Sequence, residues 1–285
     1  MNGDDTMKKI INDPKNYVDE AMEGILAAYG DKVTFFEGDK RVLVRKGEKR
    51  NGKVGIVTGG GFGHLPLFLG YVGQGMLDAC IVGNVFASPA YTKMEAGIRA
   101  ADAGAGVLCL YGNYGGDKMN FRQAMEDCKE LDDIQCVELL GTDDIASAPI
   151  DLADTRRGVA GIVYAYKIAG AAAEEMRSLE EVVSVTQKAL QNIRTMGVAL
   201  TPCVVPEVGK PTFSIEENEM EIGMGIHGEP GISKSKILTA DEVANMIIEK
   251  IDAELHLSSG SEVSVMVNGL GATSVEEQLI VYRRV

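Results

Sequence analysis

Positive charge is scarce in this 285-residue sequence: 28 Lys and Arg stand against 42 Asp and Glu, for a net charge of −14. A surface so acidic repels phosphate backbones and anionic bilayers, so neither a nucleic acid nor a membrane is an expected partner. A basic face on a protein partner is compatible with it. No apolar run approaches the ~18 residues that a membrane-spanning helix needs. No signal peptide opens the chain, so a cytoplasmic location is expected. The five cysteines, at 80, 109, 128, 136 and 203, are odd in number and form no CxxC pair. They are read as reduced thiols, and a zinc site would need tighter Cys and His clustering. Internal repeats and low-complexity tracts are absent. Histidine is scarce too, with only His64, His227 and His256.

What is present is an ordinary globular composition, 45% hydrophobic and 25% charged. The length suits one large domain or two modest ones. The first 50 residues are polar and charged, with helical spacing over 17–29 that places Met22, Ile25 and Leu26 on one side. Short apolar runs at 53–58, 79–82, 106–111 and 135–140 read as buried strands. Helix-like segments at 89–101, 120–131 and 159–176 separate them, and this alternation predicts a parallel sheet covered by helices. A helix over 178–195 is predicted to start with a capping box, Ser178 with Glu181. The texture then changes. Strand-like stretches occur at 197–204, 219–223 and 261–267, prolines at 202, 206 and 211, and a helix over 240–253. The reading is an α/β chain of two domains. Residues 1–185 form an N-terminal parallel sheet flanked by helices, and residues 186–285 a smaller mixed-sheet α/β domain, with the boundary within 180–195.

Three glycine-bearing motifs stand at places where such a fold puts chemistry. Met224-Gly-Ile-His-Gly-Glu-Pro-Gly231 sets His227 among turns that glycine permits, which suits ligand contact or nucleophilic work near neutral pH. An incidental histidine in a Gly-rich loop is the plainer alternative. Gly59-Gly-Gly-Phe-Gly-His64 follows a strand and invites comparison with a phosphate-cradling turn. It lacks the last glycine of G-x-G-x-x-G and any following GK[ST], so a dinucleotide or Walker site is a weak reading. The other options are a bare backbone that approaches a small ligand beside His64, or a tight strand-to-helix turn. Gly112-Asn-Tyr-Gly-Gly-Asp117 ends another strand, where Asp117 is a helix N-cap or a general base. Arg156 and Arg157 could hold an anion or form ion pairs, and solvation is the default. His256 reads as a surface residue and the 13 methionines as core filler.

In this order, Gly59-Gly-Gly-Phe-Gly-His64, Asn113-Tyr-Gly-Gly-Asp-Lys-Met-Asn-Phe121 and Gly225-Ile-His-Gly-Glu-Pro-Gly231 resemble the substrate-binding subunit of dihydroxyacetone kinases. Gly73-Gln-Gly-Met-Leu77, Arg156-Arg-Gly-Val-Ala160, Gly209-Lys-Pro211, Glu219-Met-Glu221 and Val267-Asn-Gly-Leu-Gly-Ala-Thr273 match as well. The resemblance runs from about Ile11 to the last residue. It implies that His227 attacks a short-chain ketose at its carbonyl and forms a covalent hemiaminal. It implies that Asp117 takes the proton from the terminal hydroxyl, that His64 hydrogen-bonds the bound ketone, and that backbone near Gly61 closes around it. It places no cofactor or metal on this chain. ADP or ATP and Mg2+ are expected on a nucleotide-binding partner subunit, with a phosphocarrier protein in the phosphoenolpyruvate-dependent systems. A homodimer is implied too.

Three positions depart from the family pattern: Phe62 stands for a serine, Leu65 for a glutamate and Gly112 for a lysine. These changes predict an altered pocket, suited to a four-carbon ketose such as erythrulose or to a non-catalytic ketone-sensing co-regulator. The resemblance also implies further elements after residue 285, so the second domain is expected to be truncated, with an exposed sheet edge.

Overall fold

The computed structural model describes residues 9–48 and 50–285. In chain order the elements are α1 (Tyr17–Tyr29), β1 (Val33–Phe36), β2 (Asp39–Arg45), β3 (Gly55–Phe62), β4 (Ala79–Val85), α2 (Tyr91–Ala101), β5 (Val107–Gly112), α3 (Gly115–Asp132), β6 (Cys136–Gly141), α4 (Ile162–Glu174), α5 (Leu179–Gln191), β7 (Val198–Ala199), β8 (Glu219–Ile222), β9 (Ser233–Lys236), α6 (Ala240–Leu255) and α7 (Val275–Arg284).

The main sheet runs β1-β2-β4-β3-β5-β6. Its four strands β4, β3, β5 and β6 are parallel, as the alternation of strand and helix predicts. β3 and β5 are buried along their whole length, which is why they read as unbroken apolar runs rather than as alternations. Successive residues still face opposite sides. Ile56, Leu108 and Leu110 pack with Met22 of α1, Tyr166 of α4 and Val182 of α5. Val57, Val107, Cys109 and Tyr111 pack with Met94 and Ile98 of α2 and Phe121 of α3. Each fully buried aliphatic contributes about 1.5–3 kcal/mol relative to exposure.

The sheet departs from a purely parallel one at one edge. β1 and β2 form a hairpin that joins β4 antiparallel, with Val42 against Ile81 and Leu43 against Cys80. The polar first 50 residues hide it, because Lys40, Arg41 and Arg45 flank the short buried pair Val42–Leu43 and carry ion pairs. β3 also continues through the glycines to Phe62, so the stretch at 59–62 is strand, and no helix follows it. The chain instead passes through one short 3-10 turn, Leu69–Tyr71, before β4. A phosphate-cradling turn would need a helix N-terminus here, and the fold supplies none.

The second sheet, β7-β8-β9, is antiparallel and small. Of the strand expected over 197–204 only Val198–Ala199 forms. The strand expected over 261–267 does not form. Val263 and Val265 are 56% and 41% exposed, with no neighbouring strand to receive their backbone bonds. Ser178 and Glu181 build the predicted capping box of α5. The 185/186 boundary lies inside α5, which packs on α4, β5 and β6. α7 carries a capping box of its own, Ser274 with Glu277, and packs on α6. Among the described residues no helix is long and apolar enough to cross a membrane.

Candidate functional site

The C-terminal ends of β3, β4 and β5 open onto one place, the usual location of a site in such sheets. β3 delivers His64, β4 delivers the segment 86–88, and β5 delivers Tyr114 and Asp117. The loop after β8 brings His227 over them. His64 Nε2 lies 3.0 Å from His227 Nε2. Phe86 stacks on the His64 ring at 4.9 Å and meets His227 edge-on at 5.3 Å. Tyr114 packs on the other side of His227, with ring centroids 4.9 Å apart. The two histidines predicted from separate motifs, 163 residues apart in the chain, are thus hydrogen-bonded partners.

Glycine is required in β3 by close approach. A Cβ on Gly61 would sit 2.7 Å from both Ala87 N and Phe86 Cα, so only a bare backbone lets the 86–88 segment lie against the strand. Phe86 itself is held at φ 59°, a region that costs a bulky residue energy and that surrounding structure must enforce. Its amide donates to Phe62 O at 2.9 Å.

The tautomers follow from the partners. Glu229 Oε1 lies 2.9 Å from His227 Nδ1, and Glu229 Oε2 accepts from the His227 amide at 2.9 Å. Burial works to raise the Glu229 carboxyl. Hydrogen bonds from the His227 side chain and from the backbone outweigh it and hold the group at about 2. A carboxylate can only accept, so His227 Nδ1 carries the proton and donates it. That leaves the lone pair of a neutral His227 ring on Nε2, aimed at His64. Burial, with the neighbouring His227, pulls His64 down to about 3, against the opposite pull of Glu229. His64 is therefore neutral near pH 7 and donates from Nε2 to the His227 lone pair.

Asp117 stands in the first turn of α3, three positions in, and is not the N-cap. That position belongs to Tyr114. The carboxyl is 7% exposed and its Oδ1 has no protein partner. Burial pushes its pKa up, opposed by the Ser88 hydroxyl and by His227. A buried, partnerless carboxylate oxygen with a raised pKa is a good proton acceptor.

The three departures from the family pattern are placed differently from one another. Phe62 is 3% exposed and packs edge-on against Tyr17 at 6.0 Å, so its ring fills the core instead of lining the site. Leu65 is half exposed. At Gly112 a Cβ would strike the Tyr114 ring at 2.9 Å. Arg156 and Arg157 are not solvated. Arg156 is 1% exposed and makes a two-pronged bond to Glu254 of α6, at 2.8 and 2.6 Å. Arg157 pairs with Asp144. His256 caps the end of α6 at φ 52°, in a position that only short or flexible residues usually take. Glu229, Phe86 and Ser88 belong to the site and were not singled out from the sequence. Glu229 had a signal, an acid two residues beyond a histidine on a Gly-Pro turn. Phe86 had none.

Comparison with known proteins agrees with this architecture. The Dak1 domain family matches residues 23–285. The chain is 46% identical over 274 residues to the dihydroxyacetone-binding subunit DhaK of a PTS-dependent dihydroxyacetone kinase of Listeria innocua, covering 96% of this chain and 82% of that one. It is 42% identical to an L-erythrulose kinase of Pectobacterium atrosepticum, covering 98% of this chain and 47% of the other. The crystal structure of the dihydroxyacetone kinase of C. freundii superposes with a TM-score of 0.87 at 33% identity, over 97% of this chain and 50% of that one. The chain thus spans half the length of that kinase. A family match from residue 23 to the last residue, on a fold that brings the three glycine-bearing motifs together, makes this chain a member of the Dak1 family.

Proposed function

We propose that this chain is the ketose-binding subunit of a dihydroxyacetone-type kinase, an enzyme that transfers phosphate to an alcohol, and that it captures the ketose covalently on His227. The observation that carries this reading is the relay Glu229–His227–His64, with contacts of 2.9 and 3.0 Å. Glu229 fixes the His227 tautomer that leaves Nε2 nucleophilic, and His64 holds a proton at that same nitrogen. A ketone carbon entering between the rings receives the Nε2 lone pair while the carbonyl π bond breaks. His64 turns its N–H onto the developing oxyanion. The positive charge on the His227 ring meets the Glu229 carboxylate at Nδ1; the Nδ1 proton passes by way of Glu229 to water and the oxyanion takes one proton from water, so one proton leaves the ring and one reaches the oxygen. The hemiaminal then equals ketone plus imidazole in composition. An alcohol without a carbonyl cannot be held this way.

Asp117 then accepts the proton of the terminal hydroxyl as that oxygen attacks the phosphoryl group. Gly61 and the 86–88 segment close one wall. The nucleotide, ADP or ATP, with Mg2+ belongs on a partner subunit, and in a phosphoenolpyruvate-dependent system a phosphocarrier protein recharges ADP to the donor ATP. The same reading takes the chain as a cytoplasmic homodimer of two domains, 1–185 and 186–285. The similarity to an L-erythrulose kinase favours a four-carbon ketose as the alternative substrate.

Intact mass measurement of the native chain and of His227→Ala, after incubation with dihydroxyacetone and with L-erythrulose, tests the reading. An adduct on the native chain that is absent from the variant supports it, and its mass names the ketose. A folded native chain with no adduct from any short ketose overturns covalent capture. Capture without phosphorylation in the presence of a competent partner subunit would favour a ketone-sensing co-regulator.

A further inference from the structure

Arg157 is absorbed by neither step, and its surroundings are specific. Its Nε donates to Asp144 Oδ2 at 2.9 Å and its Nη2 donates to Gly223 O at 3.0 Å. Nη1 lies so close to Gly225 that a Cβ there would meet it at 2.4 Å, and the same Cβ would meet Glu229 Oε2 at 2.2 Å. Asp144 is itself fixed: its Oδ1 accepts from Ala146 N at 3.0 Å and its amide donates to Arg157 O at 3.1 Å. Asp144 is buried, 4% exposed, and Arg157 is partly buried, 13% exposed. The guanidinium therefore ties the loop beyond β6 to the two residues that open the His227 loop.

The tip of that loop also meets the main sheet, through the His227–His64 bond at 3.0 Å and the packing of Ile226 on the core. The other ties at its base are local. Gly225 N donates to Glu229 O at 3.0 Å, and Gly231 N donates to Glu221 Oε1 at 2.7 Å. These shape the loop, and Arg157 is the side chain that joins its base to the segment beyond β6. The neighbouring arginine differs in kind, since the Arg156 side chain reaches Glu254 on α6 and Ala148 O.

We propose that Arg157 is a positioning residue for ketone capture. It sets the distance between the His227 loop, with its Glu229 orienter, and His64 on the main sheet. This rests on the reading of His227 as the nucleophile. Displacements on the 1 Å scale cost roughly a hundredfold in rate when reacting groups must meet in line. A lysine cannot replace the planar fork that reaches a carboxylate and a carbonyl at once.

The test compares native chain, Arg157→Ala, Arg157→Lys and Arg156→Lys, each checked for folding by thermal melting. Two quantities are read: the rate of dihydroxyacetone adduct formation and the imidazole 15N pattern of His64 and His227 without ketone. The expected result is a roughly tenfold to hundredfold slower capture in both Arg157 variants. The 15N signature of the His64–His227 bond should be lost there, and guanidinium ion should partly restore Arg157→Ala. Arg156→Lys should lower the melting temperature and leave both readouts near native. Native-like capture and 15N pattern in Arg157→Lys overturns the proposal, also where Arg157→Ala fails to fold. A native chain that forms no adduct at all, yet whose 15N pattern changes in the Arg157 variants, overturns the capture reading and leaves the positioning geometry standing.

Discussion

The two glycine-rich motifs that present the histidines are built on opposite physical grounds. In β3 the glycines sit in extended, buried backbone, and they are glycine because other segments press against them. A Cβ at Gly59 would lie 2.9 Å from Ile81 O, at Gly60 2.8 Å from the Phe68 ring, and at Gly61 2.7 Å from Ala87 N. In the His227 loop Gly223 and Gly228 take turns with φ of 77° and 89°, and close approach adds to this at Gly223 and Gly225, where a Cβ would meet Ala146 at 2.4 Å and Glu229 at 2.2 Å. The first motif makes a rigid floor whose position the sheet dictates. The second makes a shaped strap held by the side-chain bonds of Arg157, Glu229 and Glu221 together with the packing of Ile226 and of Phe86 and Tyr114 on His227. The sheet thus sets His64, and side-chain bonds with local packing set His227.

Substitutions can break the two grounds separately. Gly61→Ala should have the largest effect. Its Cβ meets backbone atoms that cannot yield, so a loss of about 3 kcal/mol in unfolding free energy is expected, together with loss of ketone capture. Denaturant melts and adduct mass would read both, and a stable, capturing variant would contradict the packing account. Glu229→Gln should come next and act on chemistry more than on fold. An amide has one acceptor oxygen where the carboxylate uses two, and it offers the His227 ring no charge, so capture should slow by roughly tenfold to hundredfold. Its acid behaviour gives a second sign. The Glu229 carboxyl is depressed to about 2 from 4.5. Its stabilising contribution is therefore complete above 4.5 and fades as the pH falls toward 2. The variant should show a shallower loss of stability across that window, seen by thermal melts at stepped pH. Gly228→Ala should be the mildest. The new Cβ meets Thr212 at 3.3 Å and the Phe213 ring at 3.5 Å, and the left-handed φ costs about 1–2 kcal/mol, with capture slowed but retained.

The same contrast explains how much was legible in the sequence. The parallel strands announce themselves because burial on both faces demands unbroken apolar runs, as at Val57 and Leu108. α5 announces itself through Ser178 and Glu181, which act on their own neighbours. His64, Asp117 and His227 are legible through glycine context. The β1–β2 hairpin is not, since its outer residues are charged and its inner ones few, Val42 and Leu43 among them. β9, Ser-Lys-Ser-Lys, has no apolar residue at all and exists only because β8 pairs with it. The strand expected around Val263 shows the converse, a good alternation with nothing to pair to. Long-range partners leave the least trace. Arg157 finds Gly223 across 66 residues, and Phe86 reaches both histidines from a strand whose sequence says nothing of it. Phe62 misleads for a related reason, since extended backbone turns its side chain into the core while its neighbours face the site.

The most direct measurement of the central claim is a 13C spectrum of dihydroxyacetone labelled at the carbonyl carbon, taken with the native chain and with His227→Ala. The account predicts that the labelled carbon moves from the ketone region to that of a tetrahedral carbon bearing nitrogen and oxygen on the native chain, and stays a ketone or its hydrate with the variant. A bound ketose whose carbonyl resonance remains that of a free ketone on the native chain would contradict covalent capture by His227.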